Sequence, residues 1–150
     1  MAEISPHSGI IKDGEHISIF RVYYEDTDAG GIVYHANYLK FMERGRSDML
    51  RLMEIDQVEM LKFQQQDDFK FVVVRTEVDY IMSAKLEDEI AIHTRVIKLG
   101  RASVILGQEI YRDDDILARG KIRVAILNAD ERPTRLSQNV VNRLHELITE

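Results

Sequence analysis

The period of the apolar residues changes twice along this chain, and the first change, at Asn37, constrains the fold most. From Asn37 to about Glu54, at about 100° per residue, Tyr38, Leu39, Phe41, Met42, Gly45, Met49, Leu50, Leu52 and Met53 fall within one half-cylinder. Lys40, Glu43, Arg44, Ser47, Asp48, Arg51 and Glu54 fill the other half. A helix with so wide an apolar arc has to be wrapped by its neighbours, and a curved sheet is the element that wraps. Gly45 lies near the centre of the arc, although glycine costs about 1 kcal/mol of helix propensity relative to alanine. A close approach of backbone is expected there. Arg46 is the one polar residue inside the arc, so it is expected to pair with an acid or to sit at a subunit contact.

The second change follows residues 56–67, a polar stretch with Val58, Leu61 and Phe63 that reads as a short helix or a lid-like loop. From there the period is two. Phe71 to Tyr80, Glu89 to Leu99, Arg101 to Tyr111 and Ile116 to Leu127 each alternate or carry β-branched residues. Leu86-Glu87-Asp88, Gly100 and Asp113-Asp114-Asp115 separate them, and such short turns predict an antiparallel meander. Ile17 to Tyr24 reads as a first strand, preceded by a loose leader over residues 1–15 with Pro6, Gly9 and Gly14. Pro133 ends the last strand, and Ser137 is placed to cap a final helix with Val140, Val141, Leu144, Leu147 and Ile148 on its apolar side. The whole is read as a single α+β domain over residues 1–150, a five-stranded antiparallel sheet around one long helix. One helix covers one face of such a sheet. Ile97, Leu99 and Ile105 are assigned to the other face, so self-association is expected.

Between the first strand and the long helix lies Tyr23-Tyr24-Glu25-Asp26-Thr27-Asp28-Ala29-Gly30-Gly31-Ile32-Val33-Tyr34-His35-Ala36-Asn37-Tyr38. Gly30-Gly31 lets the backbone turn where a side chain would clash. The helix that follows points free N–H groups and the positive end of its dipole back at the loop, with Asn37 a possible cap. A carboxylate facing such a helix start can do acyl-transfer chemistry. The opening Asp26-Thr27-Asp28-Ala29-Gly30 also suggests a calcium loop. Gly31 meets the glycine that loop needs at its sixth place, but the third ligand at its fifth and the glutamate at its twelfth are missing, since Gly30 and Asn37 stand there.

These residues resemble the acyl-CoA thioesterases of the hot-dog fold, in the 4-hydroxybenzoyl-CoA thioesterase superfamily. The Tol-Pal-associated (YbgC-like) group has the line Tyr-x-Asp-Thr-Asp-x-x-Gly-x-Val-Tyr-His-x-x-Tyr, which Tyr24 to Tyr38 matches. The likeness continues through Phe41-Met42-Glu43-Arg44-Gly45-Arg46, Gly100-Arg101-Ala102-Ser103 and Arg132-Pro133-Thr134-Arg135-Leu136. The resemblance implies a hot-dog fold, hydrolysis of acyl-CoA, and a dimer with a continuous sheet, often paired into a tetramer, with active sites at the subunit interface. It places the catalytic carboxylate on Asp28, as nucleophile or as base for water. A bare turn-stabilising or capping role is the plainer alternative for that residue. The backbone N–H of His35, with that of Tyr34, is the candidate oxyanion donor, and the His35 side chain is read as either catalytic or structural. Gly30, Gly31, Val33, Asn37, Tyr38 and Arg101 are the candidate substrate contacts. Asp26 and Glu25 are expected to shape the loop. Arg119, Lys121 and Arg123 alternate along one face of the last strand, which is read as solvated before it is read as a phosphate site.

A formal charge of −6 argues against nucleic acid as the main partner, but leaves room for an anionic carrier held by a few local cations. With no cysteine there is no thiol nucleophile, and His7, His16, His93 and His145 are too scattered for a metal site, so no cofactor is expected. The first residues show neither a basic nor an apolar signal region, and no apolar run approaches membrane-span length. A cytoplasmic protein is expected, acting on acyl-CoA or on acyl carrier protein. A hot-dog dehydratase would carry a His-Phe-Pro-type motif, which is missing. A non-catalytic acyl-thioester sensor is the alternative from another class. It would keep the pocket and would not need Asp28.

Overall fold

The computed structural model describes residues 4–148. In chain order it contains β1 (Ile10–Lys12), β2 (Glu15–Arg21), α1 (Asn37–Leu52), α2 (Gln57–Met60), β3 (Lys70–Tyr80), β4 (Glu89–Leu99), β5 (Ser103–Arg112), β6 (Asp115–Leu127) and α3 (Gln138–Leu144). The strands form one antiparallel sheet in the order β1-β2-β4-β5-β6-β3.

Most of the apolar arc of α1 is buried, but Leu39 and Leu52 stay exposed. Tyr38, Phe41, Met42, Gly45, Met49 and Leu50 are buried, and the helix packs chiefly on β2 and β4. The period-two pattern sends Ile90, Ile92 and Val96 of β4, Val104, Leu106 and Ile110 of β5, and Ile122, Val124 and Ile126 of β6 into the same core. Ser137 accepts the Val140 N–H and caps α3, whose Val140 and Leu144 close one end of the core.

Four expectations change. The leader is not loose up to residue 15, because Ile10–Lys12 pairs with β2 across a turn in which Asp13 and Gly14 both have positive φ, and this adds a sixth strand. The meander holds only for β4-β5-β6. The edge of β4 that β3 was expected to occupy is taken by β2, and β3 lies at the far edge against β6. Leu99 packs against the core, whereas Ile105 stands on the outer face and a bulge between Val96 and Lys98 leaves Ile97 exposed. Of the two places expected for Arg46, the ion pair is not made among the described residues: its Nη1 donates to the Gln108 Oε1 at 2.9 Å. Among the described residues no helix is long and apolar enough to cross a membrane.

Candidate active site

The loop from Tyr23 to Ala36 leaves β2 and enters α1, and its two aspartates have opposite surroundings. Asp26 is buried at 4% exposure. Its Oδ2 accepts the Tyr23 N–H at 2.9 Å and its Oδ1 accepts the Asn37 Nδ2 at 3.0 Å. A buried carboxylate needs such donors, since leaving it unpaired is costly. Asn37 therefore does not cap α1 with its side chain. The cap position is Ala36, which makes no side-chain cap bond.

Asp28 sits on a small hairpin. Thr27 bridges Val33, the Asp28 N–H donates to the Ile32 carbonyl at 2.9 Å, and the Gly31 N–H donates to the Asp28 carbonyl at 3.1 Å. Gly31 has φ +80°, a conformation open mainly to glycine. The Asp28 carboxylate is exposed, and its Oδ1 accepts the Gly30 N–H at 2.8 Å. One oxygen thus braces the turn, and Oδ2 has no partner among the described residues. The turn-stabilising and catalytic readings are compatible.

At the start of α1 the candidate donors change. The Tyr34 N–H donates to the Asp26 carbonyl at 3.0 Å and is not free for an oxyanion. The Asn37 and Tyr38 amides go to the Tyr34 and His35 carbonyls. The N–H groups of His35 and Ala36 have no acceptor among the described residues, and they lie at the positive end of the helix dipole. Sequence reasoning did not single out Ala36. The exact start of α1 selects it.

The His35 ring is exposed and meets Tyr34 edge-on at 4.7 Å and Tyr80 at 6.0 Å, while Tyr38 meets Tyr80 at 5.4 Å. Tyr38 is buried, and its hydroxyl accepts the Ala84 N–H at 3.0 Å. Burial pushes the Tyr38 phenol pKa up, and the Ala84 bond opposes this. The Val33 N–H donates to the Ala84 carbonyl at 2.9 Å, and Ile32 bridges Lys85. Val33, Asn37 and Tyr38, all buried, therefore hold the loop in place, while Asp28, Gly30, Gly31, Tyr34 and His35 present its surface. Tyr80 and the Ala84 backbone, both missed in the sequence, brace it from the far end of β3. Nothing local marks them, because the contacts span more than forty residues.

Arg101 does not join this group within one chain. Arg21, at the loop end of β2, pairs with Glu89 at the start of β4, whereas Arg101 follows the other end of β4. The strand's length, roughly 35 Å at about 3.3 Å per residue, lies between them. Arg119, Lys121 and Arg123 are exposed on the outer face of β6, with Arg119 Nε 3.4 Å from Glu109.

A family model for the thioesterase superfamily matches residues 30–119, beginning two residues after Asp28. The chain is similar to the acyl-CoA thioesterase YbgC of Haemophilus influenzae, with 38% identity over 128 residues, 85% of this chain and 92% of that protein. It is 39% identical over 97 residues to the acyl-CoA thioester hydrolase YbgC of Escherichia coli O157:H7, 65% of this chain and 69% of that one. Among solved structures, a probable thioesterase from Bartonella henselae superposes with a TM-score of 0.78 at 33% identity, covering 82% of this chain and 99% of that one. A 1,4-dihydroxy-2-naphthoyl-CoA thioesterase from Synechocystis reaches 0.80 at 18% identity, covering 89% and 98%, a likeness of fold alone.

Proposed function

This chain belongs to the thioesterase superfamily, has its hot-dog fold and is an enzyme of thioester hydrolysis; on that footing we propose that it cleaves acyl-CoA with Asp28 and the amides that open α1. The observation that carries the assignment is that one braced loop presents an Asp28 oxygen and two amides, His35 and Ala36, all unengaged among the described residues. The thioester carbonyl oxygen accepts from those amides, and the helix dipole stabilises the charge that builds there. Asp28 then follows one of two routes. Its carboxylate adds to the acyl carbon, the CoA thiolate leaves, and water hydrolyses the resulting anhydride. Alternatively it takes a proton from water, the hydroxide adds, and the tetrahedral intermediate collapses with loss of the thiolate. Both routes end in free acid and protonated CoA.

Asp28→Asn decides between this enzyme and a non-catalytic acyl-thioester sensor. The Asn carbonyl oxygen still accepts the Gly30 N–H, so the turn survives, but the charge is gone. The turnover number, kcat, should fall by at least about 10²-fold, in the range for losing general-base assistance. Acyl-CoA binding should persist or tighten. Hydrolysis at the parental rate would overturn the catalytic assignment and favour the sensor.

The assembly belongs to the same proposal. The outer edge of β3 is unpaired among the described residues, and Val72, Val73 and Val74 are exposed along it. A second copy adding its own β3 there makes one continuous sheet, and the outer face with Ile97 and Ile105 serves to pair dimers into a tetramer. Arg101 reaches an acyl carrier's phosphates only at a neighbouring subunit's site. With acyl-CoA or acyl carrier protein as the thioester carrier, the reaction is placed in the cytoplasm.

A further inference from the structure

Arg46 is the one cation of the apolar arc of α1, and its surroundings are unusual for a guanidinium. Its Nη1 donates to Gln108 Oε1 at 2.9 Å, and no carboxylate lies within ion-pair distance among the described residues. The orientation of Gln108 is fixed from behind. Its Nε2 donates to the Met42 carbonyl and to Thr94 Oγ1, both at 2.9 Å, so Oε1 can only face Arg46. Burial pulls the Arg46 pKa below its ordinary value, and the Glu43 charge opposes this. Glu43 itself is exposed, and its Oε1 accepts the Ser47 hydroxyl at 2.7 Å.

The guanidinium borders a pocket of about 140 Å³ between α1, the start of β3, β5, β6 and Leu144 of α3, and Glu43 is also part of its lining. Met49, Leu50, Phe71, Val104, Leu106 and Leu144 supply apolar wall. A half-buried cation answered only by a neutral amide is costly to keep, and its remaining donors suit an anion that arrives with a ligand. The apolar wall suits the stem of that ligand. The pocket also lies on the side of α1 toward β3, the strand whose Tyr80 end stands beside His35. From the start of α1 to Arg46 is about 15 Å at 1.5 Å rise per residue, within reach of an extended acyl chain.

We propose that this pocket receives the far end of the acyl group and that Arg46 selects acyl chains ending in a carboxylate. The assignment rests on the thioesterase reading above and names the substrate class of that enzyme. Arg46 thereby acts as a specificity residue, held by Gln108, and takes no part in bond breaking.

Non-hydrolysable alkyl-CoA thioethers of matched length, one ending in a methyl group and one in a carboxylate, test this by calorimetric titration. The wild-type chain should bind the carboxylate-ended thioether at least about tenfold more tightly, the scale of one charge-assisted pair. In Arg46→Met the two should become equal, with the methyl-ended affinity unchanged. Arg46→Lys should keep part of the preference, and Glu43→Gln should raise it by removing a nearby negative charge. No preference in the wild type overturns the assignment even if Arg46→Met fails to fold. So does loss of assembly mass in Arg46→Met without a wild-type preference, which would place the guanidinium against a second copy. A clear preference in a protein that leaves every acyl-CoA intact would instead sink the thioesterase reading and keep the pocket.

Discussion

Replacing Gly45 by alanine puts two opposing effects on one atom. A Cβ on Gly45 would stand 2.7 Å from Ile92 Cγ2, 3.2 Å from Ile92 Cβ and 3.4 Å from Gln108 Nε2. Ile92 is fully buried on β4 and β-branched, so rotating its χ1 cannot clear its own Cβ. The helix would have to lift. Lifting it stretches the Gln108 bonds to Met42 and Arg46, each worth about 1 kcal/mol. Overpacking costs about 1–3 kcal/mol. Against this, alanine gains about 1 kcal/mol in helix propensity. The net expectation is a loss of about 1–3 kcal/mol, and for a chain of this size each kcal/mol lowers Tm by roughly 2–4 °C. Leucine at the same position should be far worse than Ser47→Leu, because Ser47 is only half-buried. Chemical denaturation of a double-mutant cycle isolates the contact. Ile92→Ala alone should cost about 2–5 kcal/mol, and less by at least about 1 kcal/mol when Gly45 is already alanine, because the new methyl occupies part of the cavity. If Gly45→Ala stabilises by its propensity gain and shows no coupling to Ile92, the close approach of α1 to β4 is wrong.

Asp26→Asn should behave unlike Asp28→Asn. It leaves one of the two donors, Tyr23 N–H or Asn37 Nδ2, without an acceptor in a buried site. A loss of about 1–3 kcal/mol is expected in thermal melts, whereas Asp28→Asn should melt like the parent. Equal melting of the two variants would show that Asp26 does not hold the loop. His16 should make stability fall with acid. Its ring is fully buried, with Nε2 against the Ser8 carbonyl and Nδ1 without a partner among the described residues, and burial lowers its pKa from 6.5. The unfolded chain therefore takes up a proton as pH drops through 6.5 before the folded one does, and stability falls by up to about 1.4 kcal/mol per pH unit. His16→Gln should flatten that slope between pH 7.5 and 5.5, a window above ordinary carboxylate titration; an unchanged slope refutes the assignment. Light scattering at micromolar concentration should show at least a dimer of the 17.4 kDa chain, and a monomer would count against pairing at the β3 edge.

The long helix, its buried face and the four later strands were legible in the sequence because amphipathic period is a local property of the side chains. The position of Gly45 over the sheet was legible for the same reason, as was the Ser137 cap. The motif from Tyr24 to Tyr38 likewise marked the loop on which the proposed site is built. What a period cannot state is which strand lies beside which. β3 reads as a strand in any neighbourhood, yet β2 already occupies the edge of β4 that a simple meander would have given it. That choice moved the valine-rich edge to the outside of the sheet and put Tyr80 next to His35. Strand register likewise carried Arg101 to the opposite end of β4 from Asp28. Asn37 was read as a cap because Asn favours that place, but a buried carboxylate eleven residues earlier needed its amide more. Hydrogen bonds of buried charge outweigh local preference, and only the folded chain shows which charges are buried.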